Sequence, residues 1–498
     1  MRSSADSEGT ANLRRLNLWI ILTSWLCWAI YPQSFFFAIL EPKTCNLQQE
    51  IIMQFVIIGA DAAGMSAASR ARRTMPDMEI TVLEKTGDVS YSACGMPYNI
   101  GDQNREIEEL VVRRAQVFRE KQAINLLTGH CAEHIDVAAK TVSGTDSGGA
   151  EFSFSYDKLL IASGASPVIP DLPGFDLPGV MPLKTLEHGR HIKAFIKKHS
   201  ARKAVIIGMG YIALEMCEAL RKLGMEVDMV KPRPVLLPWM PMEMSDIVKK
   251  ELLSQGARLF AGNTVRKIEP SGGRLKVVCE DLNLDADLVI VAIGVTPNSQ
   301  IAGNAGLTLG TAKAIAVDRA LQTSNPHIFA AGDCADAFHI VSNQKTWIPL
   351  ALRANRAGWA AADNACGKAT RLDGIAGTAV FKVFDLQVAR TGLTASEASG
   401  CGFTPVEIVV TTRSRAHAHP GNTSINVHMV GDKSSGRLLG VQMLGREGVA
   451  HRINGPAVAL HAQMTVEQFS QTDLAYAPPF GPTWDPMLTA ANQLLKRM

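Results

Sequence analysis

The sequence predicts an α/β protein: two doubly wound nucleotide-binding domains followed by a smaller α+β domain at the C-terminal end. Three observations predict it. Short apolar runs rich in β-branched residues end at glycine, and each is followed by an alanine-rich stretch of helical character. The unit starts twice, near residue 54 and again near residue 203. From about residue 373 the chain changes to successive strand-like runs, with two helical stretches after them. Alternating strand and helix implies right-handed parallel units with helices on both faces, whereas a run of strands implies an antiparallel sheet.

Taken in order, residues 1–52 stand apart as an extension. Leu16–Leu40 is a 25-residue run without charge, preceded by Arg14 and Arg15 and containing Trp19, Trp25 and Trp28. Crossing a bilayer needs about 20 apolar residues, so a membrane anchor with a cytoplasmic amino end is one reading. Pro32 interrupts the run, and the other reading is an extension unrelated to the fold. Strands are expected at Phe55–Ile58, Ile80–Leu83, Leu159–Ile161, Ala204–Ile207, Val227–Val230 and Leu288–Ala292. Ser166–Pro182, rich in proline and glycine, and Gly294–Asn298 read as two crossings between domains. The first domain is thus expected over 53–168 and 294–372, the second over 169–293 and the third over 373–498. In that third domain Val380–Phe384, Val406–Thr412, Ile425–Val430 and Leu438–Leu444 read as strands, with helices around Val449–Gln463 and Asp485–Lys496.

Composition narrows the function. The net charge is +3 with the basic residues dispersed, which gives no electrostatic case for nucleic acid as the principal partner. The nine cysteines are scattered, with no C-x-x-C and no zinc-ligand spacing. A reducing, cytoplasmic setting fits them, with membrane association only through residues 16–40.

The stronger dinucleotide signal is Gly208-Met-Gly210-Tyr-Ile-Ala213, at the junction of a strand and a helix. The first glycine permits the tight turn, the second lets backbone approach a pyrophosphate, and a small third residue lets helix pack on sheet. Where the next strand ends, an acidic residue would grip a ribose 2′-hydroxyl; Lys231 and Arg233 stand there instead. Cations suit a 2′-phosphate, so NADPH is favoured over NADH, against the alternative of surface charge. The earlier loop, Gly59-Ala-Asp61-Ala-Ala-Gly64, lacks the middle glycine. Read alone it is either a phosphate loop or an ordinary strand–helix turn. Glu84, at the end of the second strand, is placed to accept ribose hydroxyls and favours an adenosine-bearing cofactor. Asp333, in Ala330-Ala-Gly332-Asp333, could meet sugar hydroxyls of that cofactor or simply make a turn.

Cys94 sits in Ser90-Tyr-Ser-Ala-Cys94-Gly-Met-Pro97, just before a stretch able to start a helix. Unsatisfied N–H groups there are expected to lower the thiol pKa and make a nucleophile; without the surrounding motifs, the residue reads as a buried, inert cysteine. Five residues either side stand Val89 and Asn99, so no second cysteine lies within this segment.

Together these pieces resemble the pyridine nucleotide–disulfide oxidoreductases, specifically the single-cysteine branch that includes coenzyme A disulfide reductases. The resemblance spans about residues 53–498. It rests on the first glycine loop, the Cys94 segment, Ala162-Ser-Gly164, Gly208–Glu215, Ile293-Gly294-Val-Thr-Pro-Asn298, Gly332-Asp333 and Leu474-Ala-Tyr476-Ala-Pro-Pro-Phe480. It implies FAD in the first domain, contacted by Gly59, Gly64, Glu84 and Asp333. It implies NAD(P)H on the second, at the Gly208–Glu215 loop, with Tyr211 beside the flavin. The last domain would be a dimer interface carrying Tyr476 into the other subunit's active site. Catalysis would pass through a mixed disulfide between Cys94 and a small-molecule thiol, with Tyr476 as proton donor. Ser90 and the basic residues Arg70, Arg72 and Arg73 match positions associated with coenzyme A; a solvated helix face is the alternative for the arginines. The chain departs from such reductases at Ala93, where they often have Asn, and at Ala418-His419-Pro420, where they often have Tyr-Tyr-Pro.

Rival activities remain at this stage. An NADH oxidase or peroxidase would cycle Cys94 through a sulfenic acid. That branch usually carries a histidine in the first glycine loop, where this chain has Ala62. A persulfide reductase would use the same lone thiol. A membrane-anchored flavoprotein passing electrons to quinone would not need Cys94.

Overall fold

A computed structural model describes residues 52–498. Leu16–Leu40, Cys27 and Cys45 lie outside them. No helix among the described residues is long and apolar enough to cross a membrane.

Two five-stranded sheets carry the nucleotide-binding character. In the first the order is Ile328–Ala330, Lys158–Ile161, Gln54–Ile58, Glu79–Glu84 and Asn125–Thr128, all parallel. In the second it is Ala257–Ala261, Glu226–Lys231, Lys203–Ile207, Leu288–Val291 and Val180–Pro182, again parallel. Central strands of a parallel sheet are covered on both faces, hence the unbroken apolar runs in the sequence. Phe55, Ile57, Leu159, Leu160 and Ile161 are all fully buried. Each such side chain contributes about 1.5–3 kcal/mol by leaving water.

Four helices position the site: α1 (Ala62–Thr74), α2 (Met96–Ile100), α3 (Tyr211–Lys222) and α4 (Ala351–Ala365). α1 and α3 each follow the first strand of a parallel unit, and α4 packs on α1. The contact between them is close: a Cβ at Gly358 would lie 2.2 Å from the Ala63 carbonyl oxygen. Where the chain leaves the first sheet and returns to it, Ala165–Pro167 pairs antiparallel with Val295–Pro297. Asn298 fastens this hinge, donating to the Ser163 carbonyl at 2.8 Å and accepting from the Ser166 hydroxyl at 2.7 Å.

The third region is an antiparallel sheet in the order Ala379–Val383, Leu386–Gly392, Leu438–Gly445, Ser424–Asp432 and Pro405–Arg413. Leu386–Gly392 is an additional strand, hidden in the sequence because Gln387 and Arg390 break its apolar pattern. The expected helix Val449–Gln463 is two helices, Val449–Arg452 and Asn454–His461. Pro456 explains the restart, since proline without its N–H is tolerated in a first turn but not in a helix interior. Each parallel domain also carries a three-stranded antiparallel insert, at 130–155 and 265–286.

Candidate active site

The first glycine loop is built as a tight turn. Gly59 has φ +104°, and a Cβ there would lie 2.3 Å from the Ala162 carbonyl oxygen. A Cβ at Gly64 would lie 1.8 Å from the Gly59 carbonyl oxygen, so only glycine lets α1 start this close to the strand. Asp61 precedes α1 but makes no capping bond, which leaves the first-turn N–H groups open. Its carboxylate turns away and accepts the Tyr91 N–H at 3.3 Å. Burial raises its pKa to about 6; the carboxylates of Glu84 and Asp333 add to this, opposed by the Tyr91 bond and Lys184. Glu84 holds the loop from the next strand, accepting the Ala60 N–H at 2.9 Å on one oxygen and Thr86 on the other. Asp333 follows the edge strand at Gly332, whose φ is +83°. Its carboxylate pairs with Lys184 at 3.0 Å, and Trp347 donates to its carbonyl at 2.8 Å.

The second loop differs in one telling respect. Gly208 has φ +117°, and a Cβ would lie 2.2 Å from the Ala292 carbonyl oxygen. Gly210 has no positive φ, and a Cβ there would meet nothing within 4 Å. The chain's own packing therefore does not require glycine at 210; a phosphate approaching the open end of α3 does. Lys231 ends the neighbouring strand, but its ammonium is held by the Val235 carbonyl at 2.7 Å. Arg233 is exposed, with no hydrogen-bond or ion-pair partner among the described residues. Of the two cations expected at a 2′-phosphate, Arg233 is the one with its donors open.

Cys94 occupies a short turn of 3-10 helix, Ala93–Gly95, that runs into α2. Ser90 adopts φ +48° and ties this segment down through backbone bonds: its N–H to Ala60, its carbonyl to Val112. The thiol is exposed. Its pKa is nevertheless raised, by partial burial first, then by Glu215, with Asp333 and Asp61 adding and Lys184 opposing. This corrects the expectation of a lowered pKa. α2 is only five residues long and starts after the cysteine, while burial of the sulfur and, after it, the charges of carboxylates distant in sequence oppose ionisation. The Tyr211 hydroxyl, at the first residue of α3, has its pKa raised by burial first and then by the charges of Asp333, Cys94 and Glu215.

The arginines need correction too. Arg70 makes a two-pronged pair with Asp363 of α4, at 2.8 and 2.9 Å. Arg72 donates to the Gln122, Ala123 and Pro76 carbonyls. Both act as braces, the first between α1 and α4, the second between α1 and the C-terminal end of the helix Ala115–Gln122; Arg73 alone is exposed without a polar partner among the described residues. Tyr476 lies half exposed in the loop before the last helix.

Three contributors escaped sequence reasoning. Tyr98, one helical turn beyond Cys94, donates its hydroxyl to Glu215 at 2.7 Å. Arg353 is buried at the start of α4 and donates to the Gly332, Ala335 and Asp336 carbonyls at 3.2, 2.8 and 2.6 Å, fixing the turn that presents Asp333. Lys184, between the proline-rich crossing that ends at Pro182 and the helix Leu186–His199, pairs with the Asp333 carboxylate. Helical spacing could have exposed Tyr98; nothing in the sequence links the other two to Cys94.

Two open glycine loops at the C-terminal ends of parallel strands fit two dinucleotides, with a thiol between them. Comparison with known proteins agrees. Residues 53–358 match the pyridine nucleotide-disulphide oxidoreductase family, and residues 378–487 match its dimerisation domain. A CoA-dependent NAD(P)H sulfur oxidoreductase of Pyrococcus furiosus is 38% identical over 440 residues, 88% of this chain and 98% of that one. A coenzyme A disulfide reductase of Staphylococcus haemolyticus is 29% identical over 431 residues, 86% of this chain and 96% of its own. The structure of an NAD-dependent persulfide reductase from A. fulgidus superposes with a TM-score of 0.86 at 36% identity, covering 89% of this chain and 83% of that one.

Proposed function

Because the chain belongs to the pyridine nucleotide-disulphide oxidoreductases, we propose that it reduces low-molecular-weight disulfides, coenzyme A disulfide foremost, through Cys94 alone. The enzyme is a flavoprotein that uses FAD and NAD(P)H. The observation that carries the reading is the one exposed thiol among the described residues, on a segment tied to the first glycine loop by Ser90 N–H to the Ala60 carbonyl and to α3 by the Tyr98 hydroxyl to Glu215.

FAD, when bound, relays two electrons from the nicotinamide to sulfur. Gly59, Gly64, Glu84 and Asp333 would hold it; Gly208, Gly210, Tyr211 and Glu215 would hold the nicotinamide cofactor, with Arg233 favouring NADPH. The Cys94 thiolate attacks one sulfur of the disulfide, forming Cys94–S–S–CoA and releasing the other thiolate. Two electrons then cleave this mixed disulfide into the Cys94 thiolate and a second coenzyme A thiolate. Tyr476 of the partner subunit donates a proton to a departing thiolate. The apolar exposure of Val458, Phe480 and Trp484 supports a homodimer, since a second copy would cover it. Cytoplasmic residence belongs to the same proposal: all seven cysteines among the described residues are free.

A coenzyme A persulfide is a second substrate of the same site, favoured by the relatives named for sulfur and persulfide reduction. Attack on the inner sulfur gives the same Cys94–S–S–CoA and releases hydrosulfide. Anaerobic titration tests both readings. NADPH reduction of the isolated protein should release about one coenzyme A per subunit, and coenzyme A disulfide should then reoxidise the flavin; hydrosulfide should appear only with the persulfide. A Cys94→Ser protein that still turned over either substrate would overturn the mechanism.

A further inference from the structure

Lys193 seats its ammonium in a cage of oxygens beside the cysteine helix. It belongs to the helix Leu186–His199. Its Nζ donates to the Asn99 carbonyl at 3.0 Å, the Asn99 side-chain Oδ1 at 3.0 Å, the Asp102 carbonyl at 2.9 Å and the Arg105 carbonyl at 2.6 Å. An ammonium has three protons, so these acceptors saturate it, and every one of them is an uncharged oxygen. Asn99 is fully buried, and its Nδ2 donates to the Glu106 carbonyl at 2.9 Å, which fixes the amide with its oxygen toward the lysine.

The cage closes the segment that carries Cys94. The turn of the cysteine runs directly into α2, and the Asn99 carbonyl belongs to the last turn of α2, where a helix leaves acceptors open. Beyond α2 the chain doubles back: Ser92 donates its N–H to the Leu110 carbonyl at 2.7 Å, and Val112 donates to the Ser90 carbonyl at 2.8 Å. Residues 90–112 thus form a closed loop with the thiol inside it. Arg190, one turn before Lys193, holds one end of this loop through Asp88 at 2.7 Å and Glu108 at 2.8 Å. Lys193 holds the other. Their helix packs tightly here, since a Cβ at Gly189 would lie 3.0 Å from the Ile107 side chain. The same helix leads into the strand Lys203–Ile207 and the Gly208 loop. The thiol segment of the first domain is therefore set in register on the second.

We propose that Lys193 is a positioning residue for Cys94: seated among the oxygens of Asn99, Asp102 and Arg105, its ammonium locks the loop that carries the thiol onto the nucleotide domain, and the emptied cage is a site for a free alkylammonium ion. Lys193 itself forms and breaks no bond in the reaction. Its effect is on placement, and an error of about 1 Å in placing a reacting group can cost about a hundredfold in rate. The inference rests on Cys94 being the redox thiol, and the test separates the two.

Lys193→Ala removes three methylene groups and an ammonium, the atoms of propylammonium. The FAD-loaded variant is reduced with NADPH without oxygen and mixed with coenzyme A disulfide, and flavin reoxidation is followed by stopped flow. Reoxidation should slow by about tenfold to a hundredfold, while the KM for NADPH stays within about twofold of its unaltered value. Propylammonium should bring the rate back to within about threefold and should raise the melting temperature of the variant but not of the unaltered protein. Tetramethylammonium, with the same charge and no N–H, should do neither. A Lys193→Ala protein that reoxidises at the unaltered rate, or that propylammonium leaves slow, overturns the proposal. If Lys193→Ala does not fold, Lys193→Met keeps the stem and loses only the ammonium; it should be slow with or without propylammonium, and an unaltered rate in it overturns the proposal equally. A Cys94→Ser enzyme that keeps its turnover would sink the redox reading itself; an inactive Cys94→Ser beside a fast Lys193→Ala would sink only this inference.

Discussion

The Tyr98 hydroxyl donates to Glu215 at 2.7 Å, joining the helix that follows Cys94 to the helix that opens the nucleotide loop. Burial raises the Glu215 pKa, and this bond is what opposes it. Glu215 is also the charge that most strongly raises the Cys94 pKa. Glu215→Gln should therefore lower the thiol midpoint and speed alkylation at neutral pH by about threefold to tenfold. Tyr98→Phe should move it the same way by less, because the carboxylate stays but is held less firmly in its charged form. Midpoints read from iodoacetamide rates check both, and a rise in either variant contradicts the electrostatic picture.

Gly208 and Gly210 stand two residues apart and should fail in different ways. Alanine at 208 meets a positive φ and a carbonyl oxygen 2.2 Å from its Cβ, so Gly208→Ala should cost more than about 1–3 kcal/mol. Alanine at 210 meets no atom of the chain within 4 Å, and stability should change by less than about 0.5 kcal/mol. NADPH affinity should nonetheless fall about tenfold or more, since the new methyl group stands where the pyrophosphate approaches. Urea melts and fluorescence titration with NADPH measure the two effects separately.

The same contrast shows which parts of the molecule could be read from its sequence. Gly59, Gly64 and Gly208 were legible because a tight strand–helix turn leaves only glycine room, and the parallel strands because burial on both faces writes an unbroken apolar run. Charge partners were not legible. Arg70 meets Asp363 and Lys184 meets Asp333 across stretches of chain that no local pattern spans. A helix start at Met96 can be read from the sequence, but the burial of the Cys94 sulfur, and after it the charges of Glu215, Asp333 and Asp61, arise only from the tertiary fold, and together they give the pKa shift the opposite sign.

Cofactor preference should depend on Arg233 more than on Lys231. Arg233 is exposed and has no partner among the described residues, whereas the Lys231 ammonium is held by the Val235 carbonyl at 2.7 Å. A guanidinium meeting a 2′-phosphate makes charge-assisted bonds that a ribose hydroxyl does not repay. Arg233→Ala should lower the ratio of kcat/KM for NADPH over NADH by about tenfold, and Lys231→Ala by clearly less. Steady-state kinetics with both nucleotides gives the ratio; equal effects from the two variants would contradict the assignment.

Asp61 should cost the flavin-free protein stability at neutral pH. Its folded pKa is about 6 against an ordinary aspartate value of 3.8, chiefly through burial. Between those values the folded state keeps a proton that the unfolded chain has lost, so stability falls as pH rises through this window and levels off above it. Below about pH 4 both states are protonated and the cost vanishes. Asp61→Asn removes the ionisation but keeps an oxygen able to accept the Tyr91 N–H, now 3.3 Å from Oδ1. The variant should be more stable than the unaltered protein by about 1–3 kcal/mol at pH 8, with the difference closing toward pH 4. Urea unfolding of flavin-free protein at both pH values measures it, and a difference that did not change with pH would show that Asp61 is not ionising against its surroundings.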